Sequence, residues 1–125
     1  MKVIFDYNLE KDIWCLLNYG KGSNNSNKET KVYQELIGEY GDIPNETETQ
    51  AFIEKYISEN DIDIQKFMLA LQEGWGKIAD KYIRKAEEVF DISLPEDIVA
   101  YLTINNRCPY RISENFFFVS FSANS

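Results

Sequence analysis

Carboxylates are the residues left to do chemistry in this chain, because none of its 125 positions is histidine. That removes the commonest general base, the usual zinc ligand and any Ser-His or Cys-His relay. Cys15 and Cys108 stand far apart and are too few for a zinc site. In a reducing compartment they are expected to be thiols rather than a disulfide. Gly20-Lys21-Gly22-Ser23 lacks the G-x-x-x-x-G-K-[ST] spacing and follows a helical stretch, which argues against a phosphate loop. Asp61-Ile62-Asp63 opens like a calcium loop. Its sixth position is Lys66, where glycine is required, and its twelfth is Gln72, where a bidentate Glu is required. Capping of a helix start accounts for these carboxylates better. No catalytic residue, metal or cofactor is therefore expected.

The carboxylates are unevenly placed. The formal net charge is -8. Residues 35–63 hold Glu35, Glu39, Asp42, Glu46, Glu48, Glu54, Glu59, Asp61 and Asp63, with Lys55 as their only basic residue. Outside that segment acidic and basic residues balance. The simplest reading is a solvated face that keeps the protein soluble. The sharper reading is a docking surface for a basic partner, including one that itself holds nucleic acid. Direct binding to DNA or RNA is disfavoured, because phosphate attraction needs clustered Lys and Arg.

These side chains need elements to position them. Residues 3–7 can form a short edge strand. Asn8 is a candidate N-cap for a helix with Leu9, Ile13, Trp14, Leu16 and Leu17 on one stripe, stopped by Gly20. Residues 21–30 contain no apolar residue and predict a loop. A second helix covers about 30–40 and is broken at Gly41-Asp42-Ile43-Pro44. A third begins near Thr47, where Thr47-x-x-Gln50 has the pattern of a capping box. A long fourth helix is expected over about 63–90. Its apolar seam is Ile64, Met68, Leu71, Trp75, Ile78, Tyr82, Ala86 and Val89, with Gly74 and Gly76 inside it. Ser93-Leu94-Pro95 ends the helical part.

The period then changes to two. Ile98, Ala100, Leu102 and Ile104 alternate with Val99, Tyr101 and Thr103, and Phe117, Val119 and Phe121 alternate with Phe116, Phe118 and Ser120. With a polar turn at Arg107-Cys108-Pro109-Tyr110, this predicts an antiparallel β-hairpin. The expected architecture is α+β in one domain, 1–125. Residues 1–92 are mainly helical, around a central long helix, and 98–122 form a hairpin that the N-terminal strand extends. The last strand has no evident cover. Phe116, Phe118 and Phe121 are thus a candidate edge for a protein partner or for a homodimer through the C-terminal strand.

The run 94–103 (LPEDIVAYLT), then Asn106-Arg107-Cys108-Pro109-Tyr110, then 115–121 (NFFFVSF), resembles a family of poorly characterised bacterial proteins, predicted zinc-dependent peptidases. In that family a helical region leads into a similar strand, an R-C-P-Y turn and an aromatic strand, and an H-E-x-x-H helix follows. The resemblance covers about 25–30 residues here. It implies a scaffold ending before the zinc-binding helix, so the family's catalytic residues have no positions to occupy in this chain. The expected function is a non-catalytic protein-binding domain related to the N-terminal region of those peptidases. The alternative is a small acidic inhibitor of the phage anti-defence type, blocking a basic groove by charge mimicry. Acidic residues come too early for a secretory signal, and no run approaches the roughly 18–20 apolar residues of a membrane span, so a cytoplasmic protein without membrane contact is expected.

Overall fold

Two runs that are apolar at every position, 98–102 and 116–119, decide the architecture. A strand covered on both faces has no polar side to show, and parallel strands are usually of this kind. In the computed structural model, which describes residues 2–21, 29–90, 97–105, 110–111 and 114–121, both runs are strands of one sheet. The elements in chain order are β1 (Lys2–Asp6), α1 (Leu9–Tyr19), α2 (Lys31–Tyr40), α3 (Glu46–Glu59), α4 (Ile64–Phe90), β2 (Asp97–Thr103), β3 (Tyr110–Arg111) and β4 (Phe116–Ser120). The strand order is β1-β2-β4-β3.

The expected C-terminal antiparallel hairpin is overturned. β2 and β4 are parallel, with Val99 beside Phe116 and Leu102 beside Val119. β1 is parallel to β2 on its other side, with Val3 beside Ile98. Among the described strands only the two-residue β3 runs antiparallel, pairing Arg111 with Phe116. The segment 104–115 is long enough for the crossover a parallel pair needs. Period two within an all-apolar run could not say which direction the strands take. Most of the expected 21–30 loop, the Ser93-Leu94-Pro95 stop, Cys108 and the rest of the turn at 107–109 lie outside the described residues.

Helices cover both faces of the sheet. Cys15 and Trp14 of α1 pack on Phe116, Phe118, Val99 and Tyr101. Trp14 lies 5.8 Å from Phe118, near-parallel, and 6.4 Å from Phe116, edge-on. The Lys11 ammonium stands 4.4 Å from the centre of the Phe116 ring. On the other face, Trp75 of α4 packs on Val3, Ile98 and Ala100. Beyond the strand ends, Ile13 and Leu16 of α1, Val32 and Leu36 of α2, Phe52 and Ile53 of α3, and Ile104 form the largest cluster. Leu16, Leu36, Ile53 and Leu102 are fully buried. Each such side chain is worth roughly 1.5–3 kcal/mol over its exposed state.

Local rules set the helix ends. Asn8 Oδ1 accepts from Lys11 N at 3.0 Å and starts α1. The capping box of α3 is Asn45 with Glu48, two residues ahead of the Thr47–Gln50 box expected from the pattern. α3 ends in a Schellman arrangement: Ile62 N donates to Ile57 O at 3.0 Å and Asp61 N to Ser58 O at 3.3 Å. Asp61 takes the left-handed position, with φ 51°, where glycine is the usual occupant. Gly20 closes α1 for a steric reason, since a Cβ there would stand 2.4 Å from Leu16 O and 2.9 Å from Tyr33 Cβ.

α4 is the outer layer of the fold and not its centre. None of its described side chains is fully buried. Its first half rests on the sheet, and Gln72 meets the open edge of β1, donating to Val3 O at 3.1 Å and accepting from Phe5 N at 3.4 Å. In the second half Ile78, Tyr82 and Val89 are 55–64% exposed.

Candidate functional site

The described parallel strands end on one side of the sheet, and two polar features gather there. The first is buried. Asp12, on the edge of the α1 stripe between Leu9 and Leu16, is wholly enclosed. Its carboxyl accepts from Thr103 Oγ1 at 2.6 Å, Tyr7 Oη at 2.8 Å and Ile104 N at 3.3 Å. Thr103 Oγ1 in turn accepts from Asn105 N at 3.0 Å, and Thr30 Oγ1 donates to Asn105 Oδ1 at 2.8 Å. Asn105 Nδ2 reaches the buried Cys15 thiol at 3.8 Å. This network ties α1, the N-cap of α2 and the end of β2 together. Burial pushes the Asp12 carboxyl up to about 6, against the opposing pull of the Thr103, Tyr7 and Ile104 donors. Burial first, then the charge and hydrogen bond of Asp12, hold the Tyr7 phenol far above its ordinary value. With no solvent access to its oxygens, Asp12 joins elements and is not placed to meet a substrate.

The second feature is an open cleft of about 620 Å³ between the α3–α4 turn and the strand ends. Tyr56, Phe67, Ile104 and Phe121 supply apolar surface, and Asn60, Asp61, Asp63 and Lys66 supply polar groups. Phe67 meets Phe121 edge-on at 5.2 Å. Asp63 Oδ1 accepts from Lys66 N at 3.1 Å and so caps the start of α4. A neighbouring hollow shares Asp61 and Asp63 and adds Asp6 and Tyr7.

The structure separates the acidic residues by role. Glu35, Glu39, Glu54 and Glu59 are exposed on α2 and α3. Glu39 pairs with Lys55 at 3.3 Å, and this contact first, then Glu59, holds the Lys55 ammonium above its usual value. Tyr56 is pushed up by burial and then by the charge of Glu35. Glu59, the last residue of α3, is followed at once by Asn60 and Asp61 of the cleft, and Tyr56 of the same helix lines it. Glu46 and Glu48 lie at the opposite end of α3, where Glu48 works in the capping box. Asp42 lies in the exposed turn after α2, close enough to add to the upward shift of Tyr33, whose main cause is burial.

The C-terminal aromatic edge does not exist as expected. Phe116 and Phe118 are 8% and 3% exposed, and β4 lies between β2 and β3. α1 covers the face that carries Phe116 and Phe118, and β3 pairs with β4 at Phe116 and Phe117. Phe121 lines the cleft, and Phe116 borders a separate hollow with Lys11, Trp14 and Glu114. Sequence reasoning passed over Asp12, though a charge at that point of an apolar stripe was a usable signal. It also passed over Tyr56, Phe67 and Ile104 as cleft walls, for which no local signal exists. Among the described residues no group of three or more His, Cys, Asp or Glu side chains is gathered as a metal would need, and no described helix is long and apolar enough to cross a membrane. No family model, no curated protein and no solved structure matches this chain.

Proposed function

We propose that this chain is a protein-binding domain that docks a basic partner on the acidic surface of α2 and α3. The observation that carries this reading is the exposure of Glu35, Glu39, Glu54 and Glu59 on α2 and α3, against two described cations on these helices, Lys31 at the start of α2 and Lys55, which Glu39 already engages. Such a surface attracts positive partners and steers their approach. The same chemistry serves the second reading, an inhibitor that occupies the basic groove of a nucleic-acid-binding protein. Kinship with the N-terminal region of the predicted zinc peptidases stays part of the proposal and rests on residues 94–121 alone.

The test is titration with a lysine-rich peptide at several salt concentrations. Glu35→Lys, Glu39→Lys and Glu59→Lys together are expected to weaken binding at least about tenfold and to flatten its salt dependence. An equal reversal on α4, at Glu73, Asp80 and Glu87, is expected to change it less than about threefold. Equal losses from both sets would mean that net charge alone is at work and would remove the reading.

A further inference from the structure

The cleft at the end of the acidic surface has walls of a chemistry that the surface lacks. We propose that it is a pocket for a single cationic side chain, the ammonium or guanidinium head of a Lys or Arg in the docking segment. This deepens the reading of the α2–α3 surface and rests on it for the identity of the partner. Three aromatic rings, Tyr56, Phe67 and Phe121, line the cleft beside the buried Ile104. Cations are drawn to aromatic faces, and the methylene stem of a lysine gains from the same apolar walls. Asp61 and Asp63 supply the counter-charge, and the neighbouring hollow adds Asp6. Lys66 also lines the cleft, so its polar part holds two carboxylates against one ammonium and stays net negative. The volume, about 620 Å³, falls in the range of small-ligand sites. The cleft also adjoins the ends of parallel strands, where α/β sheets commonly hold ligands.

N-acetyl-lysine methylamide, and its uncharged isostere N-acetyl-norleucine methylamide, test this by amide NMR titration of the full chain. The lysine probe is expected to shift the amides of residues 60–67, Ile104 and Phe121, and the norleucine probe to shift them less than about a third as far. Asp61→Asn with Asp63→Asn keeps a good N-cap and a residue tolerant of positive φ, so the fold is retained. This pair is expected to weaken the lysine probe about threefold or more, and Phe67→Leu to do the same by removing a ring. Equal shifts from both probes, shifts mapping elsewhere, or no effect of either variant would overturn the pocket. If the lysine-rich peptide loses affinity only on reversal of Glu35, Glu39 and Glu59, the pocket fails and the surface stands. If the lysine probe fills the cleft while the peptide ignores that reversal, the surface fails and the pocket stands.

Discussion

Asp12 shows how one residue can be indispensable to the fold while disfavoured in its charged form. Every partner of its carboxyl is a donor, so the ionised form is well met, yet full burial still disfavours it. Its native value of about 6 lies above the unfolded value of 3.8. Between those two the native state holds more protons than the unfolded state, so stability falls as pH rises from about 4 to about 6 and is level above that. The loss from this one group is of the order of 3 kcal/mol. Chemical denaturation across pH 4–7 is expected to show this slope in the wild type. Asp12→Asn is expected to lower stability at pH 5 and to flatten the slope, and an unchanged slope would mean that other carboxyls set it.

At the scale of elements, α4 shows no fully buried side chain among its described residues and is long for the support these give it. Gln72 closes the β1 edge and Trp75 seats the helix on the sheet, but Ile78, Tyr82 and Val89 stand open. A seam of spacing three and four identifies a helix with one apolar side, and it cannot say how much of that side finds a partner. Gly74 and Gly76 show the same limit. A Cβ at either position meets nothing within 4 Å, so they neither admit a close neighbour nor serve a turn. Gly74→Ala and Gly76→Ala are each expected to stabilise the domain by about 0.5–1 kcal/mol, raising the thermal midpoint. A drop in the midpoint would show that one of them meets a constraint beyond helix propensity.

At the scale of the whole molecule, the aromatic strand β4 is interior. α1 lies over Phe116 and Phe118, β2 pairs along the whole strand, and β3 pairs with it at Phe116 and Phe117. A charge at Phe118 therefore enters a dry site with no partner, at a cost far above that of an exposed edge. Phe118→Asp is expected to unfold the domain, with loss of near-ultraviolet circular dichroism. Were the strand an open edge, the same change would leave a folded and more soluble monomer. The acidic surface and the cleft are also properties of this scale. Residues of α3, of the start of α4 and of the chain just past β2 and β4 line the cleft together because these two strands are parallel and end on one side.

The sequence by itself determined the helices, through the apolar stripes at 9–17, 32–40, 52–57 and 64–89, and the start of α1 at Asn8, whose side chain caps its own backbone, while the start of α3 fell two residues ahead of the box its pattern suggested. It also determined where negative charge concentrates. These are local properties, readable within a turn or two of chain. Strand direction was decided only in the tertiary structure. The runs 98–102 and 116–119 are apolar on both faces, and such a run reads the same whether its neighbour is parallel or antiparallel. The cover over Phe116 and Phe118 comes from α1, about a hundred residues earlier. Long-range pairing of this kind has no signature in the spacing of either partner. For that reason the aromatic ending, read alone, suggested a free edge, and the folded chain places it in the core.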